Sequence, residues 1–401
     1  MTSSSSRLGP TLGHGTDGHP EIRERRLTWL QRRSAWALVA VVAVVLAAAG
    51  FAINEQVSSS FFSSALGPAS QLEQLQPGVN GAAIPAPASA QVSLASVTRA
   101  VRPQLVVINT VLGYQQERAA GTGMVLTPTG LVLTNNHVIE GETQITATDL
   151  GNHETYRARV LGYDRSHDVA LIQLIGASGL PTVTLADSSL VQVGAHVVAI
   201  GNAGGTGKAK TAVGVISGLG KSITATDSGA GTSERLNGLL QTTARVLPGD
   251  SGGPLVDAAG HVLGMDTAGS TSYRVQGGNG AAYAIPISDA AAVAEQIATG
   301  VANGAVHVGR TALLGVGVNS NTAQNTSGTV IGSALPGGPA ARAGLRPGDT
   351  IVEVDGHPIT SPTALTEQLV AEQPGNDVSV RYVRDGIART TTVLLTAGPP
   401  Q

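Results

Sequence analysis

The sequence predicts a mainly β protein in which one transmembrane helix precedes two β-barrels and a small α+β domain. The first observation is an uncharged apolar run over residues 35–53, long enough to cross a bilayer as a helix. The second is a series of short runs rich in Val, Ile, Leu and Thr, separated by turn signals, from residue 93 to residue 268. The third is a final stretch, 308–398, in which strand-like and helix-like runs alternate.

Composition limits the classes of function. A net charge of −3 over 401 residues argues against a nucleic-acid partner, because such a surface needs a positive field. The chain has no Cys, so disulfides and thiolate metal sites are excluded. No metal-ligand spacing occurs, and the glycine-rich stretch 201–208 lacks the spacing of a phosphate-binding loop. The sequence therefore predicts no cofactor and no metal ion.

The first 92 residues divide into three parts. Residues 1–33 are polar and end in an Arg-rich cluster, which predicts a disordered cytoplasmic tail. Residues 34–53 predict a single transmembrane helix, by which the chain is held in the cell membrane. A cleaved signal peptide and a buried core helix are the alternatives, but signal peptides have shorter apolar regions that start earlier. Residues 54–92, rich in Ser, Gln, Ala and Pro, predict a flexible linker to domains outside the cytoplasm.

Residues 93–300 predict the two barrels. The length and spacing of the apolar runs favour an all-β barrel or sandwich over βαβ units. The runs lie at 105–111, 123–127, 130–136, 144–150, 158–164, 168–174, 195–201, 212–218, 238–244, 253–257 and 261–268. Ser288 is then expected to cap an alanine-rich helix over 289–299, which Gly300 ends.

Residues 308–398 predict the small α+β domain. Strand-like runs lie at 313–318, 329–335, 350–356, 377–386 and 390–396. Short helices are expected over 337–345 and 363–372. Ser361 is suited to be the N-cap of the second helix, with Pro362 in its first turn.

The heptapeptide GDSGGPL at 249–255 has the features of a nucleophile loop. Glycines beside a serine let a substrate backbone approach and accept the dihedral angles of a tight turn. Such a turn aims backbone N–H groups at one point, so Gly249, Asp250 and Ser251 are candidates for an oxyanion hole. A plain Ser/Gly hairpin explains the heptapeptide equally well unless a base and an acid are present elsewhere.

Two upstream residues supply that base and acid. His137 follows an apolar strand, and Asp168 opens the run DVALIQL. A serine nucleophile needs a general base, and a carboxylate on the imidazole Nδ1–H fixes the tautomer of that base. The chain order His137, Asp168, Ser251 is that of a chymotrypsin-like triad, with the nucleophile on the second barrel. An α/β-hydrolase needs the acid and the histidine after the serine, and the downstream candidates lack that context.

Together the motifs resemble those of the HtrA/DegP-type serine proteases. The matching segments are TGMVLTPTGLVLTNNHVIEG, DVALIQL, LPGDSGGPLVD and AAYAIPI within 93–300, and LLGV, GGPAARAGLRPGDTIVEVDG and RDG within 308–398. The resemblance implies a chymotrypsin-like double barrel followed by a PDZ domain, without a cofactor. It implies His137 as general base, Asp168 as orienting acid and Ser251 as nucleophile, and an oxyanion hole at Gly249 and Ser251. It also implies a homotrimer or higher oligomer.

Two positions depart from the family pattern. Asp250 stands where members commonly have Asn, and Thr243 stands where they have Asp. No activation cut is evident that would give Asp250 a new N-terminus as partner. We therefore interpret Asp250 as a tolerated polar replacement, whose negative charge is unfavourable to an adjacent oxyanion hole.

The substrate pocket is expected on either side of the nucleophile. Its candidate residues are Val246 and the segment Gly264, Met265, Asp266 and Thr267. Val246 favours a modest apolar pocket for Val, Ala or Leu before the cleaved bond. Asp266 favours a basic side chain instead if its carboxylate points inward.

The C-terminal domain is expected to bind peptides. Leu313, Leu314, Gly315 and Val316 match the loop that holds a C-terminal carboxylate while the peptide adds a strand to the sheet. A purely structural packing domain is the alternative. By resemblance, a bound peptide acts on the loop 221–237 and thereby orders the oxyanion hole.

Two functions follow as hypotheses. The first is a membrane-anchored serine endopeptidase that degrades misfolded or unfolded proteins outside the cytoplasm. The second is a PDZ-bearing chaperone or sensor whose protease fold is largely inactive. The complete set of His137, Asp168 and Ser251 favours the enzyme.

Overall fold

The computed structural model describes residues 93–113, 117–227, 233–267, 273–275, 281–318 and 328–400. The tail, transmembrane helix and linker predicted over residues 1–92 lie outside these ranges. Among the helices that are described, none has the length and apolar character needed to cross a membrane.

Six antiparallel strands close the first barrel. They are β1 (Leu105–Leu112), β2 (Glu117–Val125), β3 (Leu131–Thr134), β4 (Gln144–Asp149), β5 (Thr155–Asp164) and β6 (Val169–Leu174). The order is β5-β4-β1-β2-β3-β6, and β5 also pairs with β6, which closes the sheet. Successive side chains of a strand point to opposite faces, and both faces of β1 are buried. Val106 and Ile108 pack within the first barrel, whereas Leu105 and Val107 pack in a cluster shared with the second.

The second barrel is closed in the same way. It contains β7 (His196–Gly201), β8 (Lys210–Asp227), β9 (Ser233–Thr242), β10 (Pro254–Val256), β11 (Val262–Thr267) and β13 (Ala282–Pro286), while β12 (Tyr273–Val275) adds to β8 from outside. The order β8-β7-β10-β11-β13-β9 ends where β8 meets β9. The prediction of two barrels of about six strands is thus confirmed, and the glycine-rich stretch 201–208 forms the turn before β8.

The segment 221–237 differs from the predicted loop. Most of it consists of the ends of β8 and β9, which pair with Ile223 opposite Leu236 and Thr224 opposite Arg235. The intervening residues 228–232 lie outside the described ranges. The barrel strands therefore continue as an extended hairpin, because both sides keep their backbone hydrogen bonds beyond the barrel wall.

Helices α1 (Leu94–Val101), α2 (Asn136–Ile139) and α3 (Ile287–Ala298) belong to the double-barrel region. The prediction that Ser288 caps α3 is wrong, because this residue lies inside the first turn. Its N–H and Oγ instead exchange hydrogen bonds of 3.1 Å with the Oγ and N–H of Ser188. These two bonds join the helix to the turn that precedes β7.

The C-terminal domain is built on a five-strand path. Its elements are β15 (Thr311–Leu313), β16 (Val316–Val318), β17 (Thr329–Ala334), α4 (Pro339–Arg342), β18 (Thr350–Val354), β19 (His357–Pro358), α5 (Pro362–Val370), β20 (Asp377–Arg384), β21 (Ile387–Leu394) and β22 (Thr396–Gly398). The order β16-β17-β18-β20-β21 leaves β16 at an edge. Ser361 caps α5 as predicted, since its Oγ accepts the N–H of Ala364 at 3.1 Å.

The connection between the barrels and this domain is itself a strand. β14 (Val306–Val308) pairs antiparallel with β5 of the first barrel, with His307 opposite Tyr163. The two rings pack with their centroids 5.0 Å apart. His307 Nδ1 lies 2.9 Å from the carbonyl oxygen of Val370 at the end of α5. One buried histidine therefore contacts both the first barrel and the C-terminal domain.

Candidate active site

His137 and Asp168 form a close pair at one end of the first barrel. β3 ends at Thr134, and the short helix α2 presents the imidazole. Nδ1 of His137 lies 2.9 Å and 3.0 Å from the two carboxylate oxygens of Asp168, and the His137 backbone N–H donates to Oδ1 at 3.0 Å. The carboxylate is fully buried. This geometry fixes both the position and the orientation of the ring.

Asp168 is held in a backbone conformation that few residues other than glycine adopt. Its φ is +53°, in the left-handed region. The side-chain amide of Asn135 supports this turn by donating to the Asp168 carbonyl oxygen at 2.9 Å. Strained residues persist where their surroundings over-determine them, and such residues cluster at functional sites.

The second barrel also contacts this acid. The hydroxyl of Thr267, the last residue of β11, donates to Oδ2 of Asp168 at 2.6 Å. The short distance is typical of a charge-assisted O–H···O bond. Asp168 therefore accepts hydrogen bonds from His137 on one barrel and from Thr267 on the other.

The loop of Ser251 is attached to the first barrel through Thr122 of β2. The N–H of Thr122 donates to the Ser251 carbonyl at 2.9 Å, and its hydroxyl donates to the Gly249 carbonyl at 2.7 Å. The same hydroxyl accepts the N–H of Asn202 at 2.9 Å, and Thr134 Oγ1 donates to the Thr122 carbonyl. Ser251 itself is 3% exposed.

The turn of His137 and the loop of Ser251 converge on a glycine of β2. A Cβ at Gly121 would lie 2.6 Å from a methyl group of Val138 and 3.3 Å from the Ser251 carbonyl oxygen. There is thus no room for any side chain between the two segments. The structure thus pairs His137 with Asp168 and places the turn of His137 and the loop of Ser251 against the same glycine.

Two glycines are required in the nucleophile loop. Gly249 has a φ of +96° and Gly252 a φ of +82°. A Cβ at Gly252 would overlap the Thr122 carbonyl oxygen, and one at Gly249 would overlap the Asn202 carbonyl oxygen. Both the dihedral angles and the close backbone approach therefore exclude other residues.

One of the three amides predicted for the oxyanion hole is already engaged in a hydrogen bond. The N–H of Asp250 donates to the Leu247 carbonyl at 2.9 Å, so the inclusion of this amide was wrong. Within the described chain, no hydrogen bond engages the N–H of Gly249 or Ser251. These two groups are available as donors to a developing oxyanion.

The Asp250 side chain closes the same turn. Its Oδ2 accepts the N–H of Leu247 at 2.9 Å, and the residue is 5% exposed. Burial raises the pKa of Asp250 to about 6, against the opposing effects of the Leu247 N–H and the positive charge of Lys210. Asp250 is therefore part of the loop structure and more than a tolerated replacement.

The structure divides the predicted substrate-pocket residues between two faces of β11. A Cβ at Gly264 would contact Ala284 and Leu240, which belong to the same interior cluster as Val246. Asp266 is two residues further along the strand and lies on this face.

The other face of β11 carries Met265 and Thr267. Met265 is fully buried in the cluster between the barrels, and the Thr267 hydroxyl is bonded to Asp168. Their assignment to the pocket is therefore wrong, because the strand alternation turns their side chains away from it. Thr267 belongs to the candidate catalytic site instead.

The predicted carboxylate-binding loop of the C-terminal domain connects β15 to the edge strand β16. Leu313 ends β15, and Leu314 is buried in the domain core. Gly315 has a φ of +77°, and its carbonyl accepts the N–H of Leu335 at 2.9 Å. Val316 begins β16, whose free edge fits the addition of a peptide strand.

Sequence reasoning missed Thr122 and Asn135, and it gave Thr267 a different role. All three act through hydrogen bonds to residues distant in the chain, and no local pattern identifies such bonds. Thr122 lies in the segment GTG inside β2, and Asn135 lies in the segment TNNH at the end of β3. Within the described residues, no group of His, Asp and Glu is arranged to hold a metal ion.

Two family models match the chain. The model described as a trypsin-like peptidase domain matches residues 121–265. The model described as a PDZ domain matches residues 312–395. The double barrel and its acid–histidine pair are therefore those of the trypsin-like class, and the C-terminal domain is a PDZ domain.

Curated relatives of this chain are named as serine proteases. A probable periplasmic serine protease do/HhoA-like of Haemophilus influenzae is 36% identical over 70% of this chain. The serine protease PepD of Mycobacterium tuberculosis is 31% identical over 76% of this chain. The chain spans 59% and 66% of the length of these two relatives.

A solved structure titled HtrA-type protease AlgW with tripeptide is 30% identical, with a TM-score of 0.44. The match covers 77% of this chain and 98% of that one. On the domain models and the curated relatives, the chain belongs to the HtrA/DegP-type family of trypsin-like serine proteases with a PDZ domain.

Proposed function

We propose that the chain is a serine endopeptidase that hydrolyses peptide bonds through an acyl-enzyme intermediate. Ser251 Oγ attacks the substrate carbonyl while His137 Nε2 takes its proton. Asp168 stays ionised, holds Nδ1–H and stabilises the imidazolium. His137 then protonates the leaving amine, and a water molecule activated in the same way releases the acyl group.

The negative charge of the tetrahedral intermediate is assigned to the N–H groups of Gly249 and Ser251. These donors belong to a loop that Thr122 and Asp250 hold in place, so little reorganisation is needed during the reaction. Removal of one such donor typically lowers kcat by roughly 100- to 1,000-fold in enzymes of this type.

A single observation carries the proposal. The Asp168 carboxylate is fully buried and contacts both His137 and Thr267 at distances of 2.6–3.0 Å. Burying a carboxylate is costly, and a carboxylate with a purely structural role would be better stabilised by a permanently charged cation. An imidazole that becomes positive only during the reaction suits a general base.

Cleavage of unfolded casein by residues 54–401 tests this proposal. We expect the wild-type chain to cleave casein and Ser251→Ala to be inactive, with Ser222→Ala, which changes an exposed serine, as the matched control. Equal turnover by wild type and Ser251→Ala would contradict the proposal. No cleavage by either, even with an activating C-terminal peptide, would favour the chaperone or sensor function.

The proposed substrates are misfolded or unfolded proteins outside the cytoplasm, as a part of protein quality control. The name of the H. influenzae relative as periplasmic supports this location. The apolar run over 34–53 supports anchoring in the cell membrane, with the N-terminus in the cytoplasm. Alkaline extraction of membranes tests the anchor: the chain should remain in the pellet, and a variant lacking residues 1–53 should not.

The proposed substrate pocket comprises Val246 and Gly264, two of the predicted residues on one face of the second barrel. Asp266 is not included, because its side chain is completely buried. The apolar side chains around Val246 support a small apolar residue before the cleaved bond. A peptide library varied at that position tests the preference, and Val, Ala or Leu should exceed Lys and Arg.

The PDZ domain is proposed to bind C-terminal peptides along β16, with their carboxylate at the backbone of residues 313–316, and to control the protease. The open edge of β16 supports this mode. We further propose a homotrimer or higher oligomer. Sedimentation of residues 54–401 tests the oligomeric state, and a monomer at micromolar concentration would contradict it.

A further inference from the structure

Strand β11 carries an acid that the proposed mechanism does not use. Asp266 is 0% exposed, and neither carboxyl oxygen has a hydrogen-bond partner within the described chain. No ion pair of the described residues includes it. A buried polar group without a partner is unusual in a folded protein and needs an explanation.

The surroundings of Asp266 disfavour a negative charge. Burial raises the pKa of Asp266 well above its usual range, and the charge of Asp250 raises it further. The positive charge of Lys210, on β8, lowers the pKa of Asp250, but it is not among the groups that shift the pKa of Asp266. Since Asp250 has the Leu247 N–H as donor and Asp266 has none, the single charge of this pair belongs on Asp250.

The other groups facing this part of β11 offer no compensation either. Asp168 is approached through the neighbouring Thr267 and is itself an acid. Tyr283, on β13, stands opposite Thr267 in the sheet. Among the described residues, a negative charge at Asp266 would therefore be opposed by Asp250, and no cation acts on it.

The backbone of Asp266 is bonded directly to the nucleophile loop. Its N–H donates to the Gly253 carbonyl at 2.8 Å, and its carbonyl accepts the N–H of Gly252 at 2.9 Å. The next residue, Thr267, donates to Asp168. A displacement of Asp266 would therefore disturb two sets of hydrogen bonds at once. One set holds the loop of Ser251, and the other is the bond from Thr267 to Asp168.

We infer that Asp266 is a positioning residue whose side chain must be uncharged for peptide hydrolysis, and that deprotonation of this acid at alkaline pH switches the site off. The inference rests on the proposed peptidase activity and deepens it. Ionisation releases the proton to solvent and leaves an unpaired charge inside the barrel. The strand must then shift to bring water or a donor to the charge, and both sets of backbone supports shift with it.

The pH profile of kcat tests the inference. For residues 54–401 with a peptide substrate, wild-type kcat should fall about tenfold for each pH unit above the Asp266 pKa. Asp266→Asn, which is neutral at every pH, should keep kcat within roughly threefold of wild type near neutrality and lack the alkaline decline. Asp257→Asn changes an acid on the β10–β11 turn and should retain it.

Two kinetic results would overturn the inference. One is an alkaline decline that is identical in wild type and Asp266→Asn, or absent from both. The other is loss of activity in Asp266→Asn at all pH values although the variant is folded, since this would mean that an uncharged side chain at this position is not sufficient. If Asn is not accommodated, Asp266→Ser provides a second uncharged variant.

The pH dependence of folding stability tests the protonation of Asp266 without a measurement of enzyme activity. Two proteins are compared, both carrying Ser251→Ala: one keeps Asp266 and the other has Asp266→Asn. Relative to the Asn variant, the unfolding equilibrium constant of the Asp266 protein should rise about tenfold per pH unit. This rise should extend from the usual pKa of an aspartic acid up to the raised pKa of Asp266. The sign follows because the folded state binds the extra proton over that interval. A parallel pH dependence in both proteins would overturn the inference. Absence of cleavage at every pH would instead contradict only the proposed function.

Discussion

Thr267 shows how one hydroxyl group can serve two barrels. Its backbone ends β11, and its side chain reaches Asp168 on the first barrel at 2.6 Å. The carboxylate consequently has two donors, Nδ1–H of His137 and this hydroxyl, and each limits its rotation. A residue of the second barrel thereby helps to set the orientation of the general base on the first.

Replacing Thr267 by Val removes this hydroxyl with little change of shape. The lost charge-assisted hydrogen bond is worth about 1.5–3 kcal/mol, so we expect kcat/KM to fall by roughly 10- to 100-fold. Thr267→Ser keeps the donor and should stay near the wild-type rate. Steady-state kinetics on one peptide substrate measure both, and a Val variant as active as wild type would contradict the assigned role.

Asp250→Asn tests the second acid of the nucleophile loop. The pKa of Asp250 is raised to about 6 from 3.8, so the wild type loses stability as the pH rises through this interval. The Asn variant avoids this loss and still offers an oxygen to the Leu247 N–H. We expect activity equal to or above wild type and, at pH 7.5, a gain in unfolding free energy of at most about 2–3 kcal/mol.

Chemical denaturation at pH 4 and pH 7.5 provides the comparison for Asp250→Asn. The difference between the two proteins should be larger at the higher pH. A large loss of activity in the Asn variant would show that the negative charge itself is required, and a gain of stability that is equal at both pH values would contradict the sign of the shift.

At the scale of elements, regular strands were predictable and irregular additions were not. The sequence located the barrel strands because Val, Ile and Leu runs between turns are a local pattern. It missed α1, although Leu94, Val97 and Val101 have helical spacing, because the helix is only eight residues long. It missed β14 because a strand of three residues exists only through its partner β5.

The candidate site divides in the same way. His137, Asp168 and Ser251 were found from residue type and chain order. The division of β11 into two faces could not be found, because the sequence does not say which side of a fully buried strand faces the nucleophile. The roles of Thr122 and Thr267 depend on hydrogen bonds across 80 to 127 residues.

The cap of α5 gives a prediction at this scale. Ser361→Ala removes the acceptor for the Ala364 N–H, which should cost about 1 kcal/mol. Amide hydrogens of α5 should then exchange about fivefold faster, as measured by hydrogen-exchange mass spectrometry. Ser361→Asp keeps an acceptor and should exchange at the wild-type rate. Unchanged exchange in the Ala variant would mean that the cap does not limit opening of the helix.

At the scale of the whole molecule, His307 lies where the barrels and the PDZ domain meet. Its ring packs on Tyr163, and Nδ1 contacts the Val370 carbonyl. Burial lowers the pKa of His307, opposed by the backbone groups of Val370 and Arg310. The folded state therefore binds this proton less readily than the unfolded state does.

The pH dependence of stability follows from that sign. Neutral His307 makes its full contribution to the free energy of unfolding above the usual histidine pKa near 6.5. This contribution is lost as the pH falls below that value. His307→Gln keeps a side-chain donor without titrating, so its unfolding midpoint should decline less than that of wild type between pH 7.5 and pH 5. His153→Gln, at an exposed turn, should behave as wild type. Equal declines in all three proteins would contradict the prediction.

The attachment of the nucleophile loop to Thr122 has a consequence for biosynthesis. The first barrel is complete by residue 174, but the second closes only when β13, ending at Pro286, has been made. Until then the loop of Ser251 cannot dock on β2, and a nascent chain holds the catalytic groups apart. Assembly of the proposed active site therefore depends on completion of the second barrel.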